Sequence, residues 1–381
     1  MKILLIGKSF PYKGGIAAFN ERLAMELMSE GNDVTIYTYS LFYSFLSKYT
    51  SNRFNNNDIP IKGLHIEEKI DNYNPFEAER ISIEIKRAKF DLIIYCYSDV
   101  ASVGCFTLIA KNNKQSTVQL ALLHQIKPEK GSCTFQKMFI PSMLSQMDGF
   151  VAMSQKVIEN VKSIDKKNKP TLFSPHPIYD LFGKGTDKKL AMLQLGLNAN
   201  YQYVLFFGAI KESKGLDLLI EAFADNRLRG LPVKLLVVGD LKNNQDYYFD
   251  IMYEYRLKNN IIFVDEYVPN NVVSLYFSAS SIVAQPYKEV NQSGILQVAY
   301  HFDKPILITN VADGGNSIPN KKVGYVINPN VTEIADALFD FFDQKRETEM
   351  VDNVKIEKKK YAWSNMTNII SELYNDVKKQ K

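Results

Sequence analysis

Apolar residues fall into two successive series along this chain, each alternating short unbroken apolar runs with stretches whose apolar positions recur every three or four residues. A bounded run of four to seven such residues reads as a buried strand, and the wider spacing as a helix with one apolar side. In the first series Lys2–Ile6, Asp33–Thr38, Asp91–Cys96, Thr117–Leu123 and Gly149–Ala152 predict strands, and Ile16, Phe19, Leu23, Ala24 and Leu27 line a helix after the first of them. In the second series the strands are Tyr203–Phe207, Val233–Val238, Ile261–Val264, Ile282–Ala284, Pro305–Ile308 and Gly324–Ile327, with Leu216, Leu219, Ile220 and Phe223 on one helix face between the first two. Strand alternating with helix predicts an α/β chain with parallel sheets in doubly wound domains.

Pro175-His176-Pro177 and Gly183-Lys184-Gly185 break the pattern and mark a linker. The domains are therefore expected at 1–178 and 179–352, with a tail at 353–381 whose Met366, Ile369, Ile370, Leu373, Tyr374 and Val377 share one helix side. A Lys-rich end and Trp363 would also suit a helix lying on a membrane. A length of 381 residues with 46% hydrophobic content supports two proper cores.

A net charge of +4 is too weak to call for a nucleic acid partner, but it suits phosphate-bearing substrates or an anionic membrane surface. Cys96, Cys105 and Cys133 show no Cys-x-x-Cys and signal neither a disulfide framework nor zinc, so a cytoplasmic protein is expected. No apolar run reaches membrane-spanning length, and the apolar core of the opening MKILLIGKSF is too short for a signal peptide.

Candidate chemistry sits after the strands. Gly7-Lys8-Ser9 imitates the end of a P-loop, but the required earlier glycine would fall at Lys2 and Phe10-Pro11 follows, so an ATPase is rejected. The absence of Gly-x-Gly-x-x-Gly after the same strand weakens a dinucleotide oxidoreductase. Gly14 and Gly15 open the helix, either as a plain tight turn or as bare backbone that a ligand can approach. His124 directly follows a strand end, where such sheets bind ligands, although a lone histidine is more often structural. Lys211 and Lys214, between Gly208 and Gly215, suit a diphosphate, with solvated surface lysines as the plain alternative. Glu289 precedes a helix begun by Ser293 and Gly294, which reads as a phosphate seat, with Gln297 and His301 on the same polar face. Phe42, Tyr43, Phe45, Tyr49 and Phe54 crowd a variable excursion that either packs as an insertion or meets sugar rings or a bilayer surface.

Gln285 to Thr309 resembles the signature of retaining glycosyltransferases of the GT-B fold, family 4 (glycosyl transferases group 1), in which two Glu residues flank seven others. Glu289 matches the first and Gln297 stands at the second. The resemblance implies two Rossmann-like domains facing across a cleft, with the tail helix returning to the first. It implies that Glu289 and His124 touch the donor sugar, that Gly14 and Gly15 lie against the ligand, and that Tyr267 and Val268 meet the base. The family carries an Arg directly after the first glycine of the 208–215 loop and a Lys before the second. Lys214 matches that Lys, whereas Ala209 replaces the Arg and Lys211 is the candidate substitute.

The implied function is a hexosyltransferase-type glycosyltransferase (EC 2.4) that takes a nucleotide-diphosphate sugar and a saccharide or lipid-linked acceptor, with retention, in bacterial envelope polysaccharide synthesis. It would work in the cytoplasm, with peripheral contact at the inner face of the membrane. No cofactor or metal is expected, since the chain contains no Asp-x-Asp and two lysines can neutralise a diphosphate. The departures at Ala209 and Gln297 motivate two alternatives, a non-catalytic nucleotide-sugar-binding subunit and a GT-B nucleotide-sugar epimerase.

Overall fold

A computed structural model describes residues 1–12, 14–41, 61–126, 134–241, 245–266, 268–289, 294–311 and 318–381. The aromatic excursion at Phe42, Tyr43, Phe45, Tyr49 and Phe54 lies outside them. The chain divides into two compact units, one formed by Met1–Pro177 with Ala362–Lys381, the other by Ile178–Tyr361.

In the first unit the strands are β1 (Lys2–Ile6), β2 (Asp33–Leu41), β3 (His65–Asp71), β4 (Leu92–Tyr97), β5 (Val118–Leu123), β6 (Gly149–Ala152) and β7 (Thr171–Phe173). They pair in parallel in the order β3-β2-β1-β4-β5-β6-β7. Sequence patterning misses β3 and β7 for one physical reason: both are edge strands, partly solvated, so HIEEKID and TLF carry no long apolar run. The central strands β4, β5 and β6 are buried throughout and read clearly.

The tail helix Trp363–Gln380 packs on the helix Gly15–Ser29 and on β5, β6 and β7, burying Trp363, Met366, Ile370, Leu373, Tyr374 and Val377. Leu373 fits so closely over Gly149 that a Cβ there would lie 3.0 Å from its Cδ1. Residues 353–361, placed with the tail on sequence grounds, belong instead to the second unit, whose core takes up Val354 and Tyr361.

The second unit contains β8 (Gln202–Phe207), β9 (Val233–Val238), β10 (Ile261–Val264), β11 (Ile282–Gln285), β12 (Ile306–Thr309) and β13 (Gly324–Ile327), all parallel in the order β10-β9-β8-β11-β12-β13. Strand alternation feeds two cores, with Val204 and Phe206 on one face of β8 and Tyr203 and Leu205 on the other. Both units are thus Rossmann-like α/β domains. Each strand order reverses once, between β1 and β4 in the first sheet and between β8 and β11 in the second. Open parallel sheets hold ligands at the carboxyl ends of strands beside such a reversal. Among the described residues no helix is long and apolar enough to cross a membrane.

Candidate functional site

In the second unit the reversal brings together the loop after β8, which carries Gly208, Lys211 and Lys214, and the loop after β11, which carries Glu289. The Ser213 carbonyl accepts hydrogen bonds from the backbone N–H groups of Lys288 (2.9 Å) and Glu289 (3.3 Å). The Lys288 ammonium forms an ion pair with buried Asp217, whose other neighbour is the Tyr247 hydroxyl at 3.4 Å. Burial works to lower the Lys288 pKa, but its hydrogen bond and charge pairing with Asp217 leave it raised. The two loops are therefore bolted by backbone and side chain together.

Lys214 lies in this joint with its Nζ 3.8 Å from the centroid of the Tyr287 ring, a cation–π contact. Burial, and then the charge of Lys211, pull its pKa down to about 8. Lys211 itself is exposed and stands just ahead of the short helical turn Glu212–Lys214. Glu289 is also exposed. Gly208 adopts φ +109° at the close of β8, near Ile295, and its carbonyl oxygen would lie 2.0 Å from any Cβ on Gly239.

The helix Ile295–His301 departs from the two-faced expectation, being buried continuously from Leu296 to Tyr300. Gln297 is 8% exposed, and its Oε1 has no hydrogen-bond partner among the described residues. The imidazole of His301, partly exposed, lies 2.6 Å from the Gly183 carbonyl oxygen. Gly294 has ordinary helical torsions, and a Cβ there would sit 2.7 Å from the Tyr179 ring. This glycine therefore makes room for Tyr179. Val268 is a core residue at 8% exposure. Tyr267 and Ser293 lie outside the described residues.

The first unit gathers Gly14, Gly15 and His124 toward the carboxyl ends of its strands. Gly14 caps the helix Gly15–Ser29 with φ +111°, and both glycines are exposed. The preceding loop is held from that helix: Glu21, buried, accepts hydrogen bonds from the Ser9 hydroxyl (3.0 Å) and the Phe10 N–H (2.6 Å), while Asn20 Nδ2 donates to the Lys8 carbonyl (2.7 Å). Burial raises the Glu21 pKa and those two donors oppose the shift. His124 follows β5 at 4% exposure, edge-on to Phe19 (4.7 Å between centroids) and 6.4 Å from the His176 ring. Its Nε2 has no hydrogen-bond partner among the described residues. Burial, with the nearby His176, pushes its pKa down to about 3, and burial brings His176 to about 4.

Tyr287, Asp217, Lys288 and Glu21 are not among the residues that the sequence singles out. Only the pairing of β8 with β11 brings the first three together. Glu21 lies away from the apolar stripe of its helix, so its burial has no local signal in the sequence.

Residues 187–360 match the model of the family described as Glycosyl transferases group 1, and within them the chain resembles that family. D-inositol 3-phosphate glycosyltransferase of Corynebacterium aurimucosum is 24% identical over 213 residues, 54% of this chain and 50% of the relative. The chain spans about half the length of the curated relatives it matches. A glycosyltransferase from Rickettsia africae superposes with a TM-score of 0.74 at 19% identity, covering 100% of this chain and 99% of its own. Anabaena HepE in complex with UDP and glucose gives 0.71 at 16% identity, covering 99% of this chain and 100% of its own. The fold is therefore that of GT-B glycosyltransferases, built from two Rossmann-like units.

Proposed function

We propose that this chain is a glycosyltransferase that moves a sugar, with retention, from a nucleoside-diphosphate sugar to a saccharide or lipid-linked acceptor. One observation carries the reading: the β8–β11 reversal gathers Lys211, Lys214 and Glu289 on two bolted loops, inside the segment that matches glycosyl transferases group 1. Anabaena HepE, of the same fold, binds UDP and glucose. The chemistry asks little covalent work of the protein. The bond from the anomeric carbon to the phosphate oxygen breaks, the acceptor oxygen bonds to that carbon on the same face, and the departing phosphate takes the acceptor proton. A diphosphate leaves readily, so catalysis consists of neutralising its developing charge and holding the sugar still. Lys211 and Lys214 serve the first need without a metal. Glu289 and His124 serve the second as acceptor and donor of hydrogen bonds to sugar hydroxyls, Gln297 offers its open amide oxygen to the ribose, and Tyr267 and Val268 meet the base. The acceptor is assigned to envelope polysaccharide synthesis at the cytoplasmic membrane face.

Thermal shift against UDP, GDP, ADP and their sugars tests the reading, because a ligand that binds only the native state raises stability with concentration. A rise with one diphosphate, followed by sugar transfer from its conjugate, is expected. No shift with any diphosphate overturns it. Binding without turnover on any acceptor would favour the non-catalytic alternative that Ala209 and Gln297 suggest.

A further inference from the structure

Tyr287 is anchored at both ends. Its hydroxyl accepts a hydrogen bond from Gln285 Nε2 at 2.9 Å, its carbonyl accepts one from the Thr309 hydroxyl at 2.6 Å, and only 3% of it is exposed. Lys214 is the opposite kind of residue. Its stem is flexible, Lys211 repels its ammonium, and no carboxylate among the described residues lies within ion-pair distance of it. The nearby Asp217 is already occupied by Lys288. What fixes the Lys214 ammonium is the ring face below it, at 3.8 Å. An aromatic face attracts a cation without neutralising its formal charge, so the full charge stays available to an anion arriving from the other side. A carboxylate in the same place would compete with that anion.

We propose that Tyr287 is the positioning residue for the diphosphate-binding cation: its ring holds the Lys214 ammonium in place and uncompensated, so that preference for a nucleoside diphosphate over the bare nucleoside depends on the ring of Tyr287. This rests on the glycosyltransferase reading above. Holding a flexible side chain before the ligand arrives removes part of the ordering cost of binding.

Calorimetric titration of the full chain with UDP, GDP and ADP, each beside its nucleoside, separates the possibilities. Tyr287→Leu should weaken the diphosphate about tenfold, within the range of a partly desolvated cation–π contact, and change the nucleoside less than about twofold. Tyr287→Phe keeps the ring and should stay within about twofold of wild type for both ligands. With Lys214 already replaced by Ala, Tyr287→Leu should add no further loss, because the two residues act as a pair. Should the Leu variant fail to fold, Tyr287→Met takes its place and is read by the same ratio. Equal losses for diphosphate and nucleoside, a Phe variant as weak as the Leu variant, or a full additional loss in the Lys214→Ala background each overturn the proposal. Wild-type protein that binds none of the three diphosphates overturns the reading beneath it instead.

Discussion

Gly215 and the Pro286 carbonyl meet so closely that a Cβ on the glycine would lie 2.0 Å from the carbonyl oxygen. Gly215 also adopts φ +67°, a left-handed conformation that side chains resist. Gly215→Ala should therefore force the two switch-point loops apart, at a cost of about 3 kcal/mol or more from strain and overpacking together. Denaturant titration reads the stability, and nucleoside diphosphate binding should be lost even where folding survives. An unchanged midpoint would mean that the joint is slack.

Glu289→Gln should nearly abolish sugar transfer and leave nucleoside diphosphate affinity almost unchanged, because the carboxylate is assigned to the sugar. Initial rates beside calorimetric affinity check the split. Near-normal turnover would remove Glu289 from the site.

Diphosphate affinity should fall as pH rises through about 8, the value to which burial and Lys211 bring Lys214. The sign follows from charge: below that pH Lys214 is an ammonium and attracts the anion, and above it the attraction fades. Lys214→Arg, whose guanidinium does not titrate, should flatten the profile. A wild-type affinity that stays level across this window would contradict the assignment.

His124 and His176 are kept neutral by burial, with pKa values of about 3 and about 4 against roughly 6.5 for an unfolded histidine. Between those limits the unfolded chain binds more protons, so their contribution to stability is present above pH ~6.5 and is lost as pH falls through the folded values. His124→Leu should move the acid unfolding midpoint to lower pH, and it should cut turnover more than nucleotide affinity. An unmoved acid midpoint would show that His124 is not held neutral.

Transfer should continue in chelator, and the product should keep the donor's anomeric configuration. Activity abolished by chelator and restored by magnesium would sink the charge assignment to Lys211 and Lys214. An inverted anomeric proton coupling in the NMR spectrum would sink retention.

The sheet centres and the motif glycines were legible in the sequence because each announces itself locally. Buried strands such as LLVV carry their apolar run in consecutive residues, whereas β3 and β7, solvated at the sheet edges, do not. Glu289 and Lys214 could be named from their own neighbourhoods. Their coupling through Tyr287, Ser213 and the Asp217–Lys288 pair could not, because it joins loops some 70 residues apart that touch only once β11 has paired with β8. Gly294 is legible only in part: its place at a helix start can be read locally, whereas the Tyr179 ring against it cannot.

The helix that closes the first unit follows the whole second unit along the chain. Synthesis delivers Met1–Pro177 before the whole of Ile178–Tyr361, and only after both the stretch from Ala362 onward that covers β5, β6 and β7. Until then the surface around Gly149 awaits Leu373, and the nascent first unit must wait with an incomplete core while its neighbour folds. A stop codon placed before Trp363 would thus damage the unit whose sheet is translated before the second unit rather than the unit translated just ahead of it.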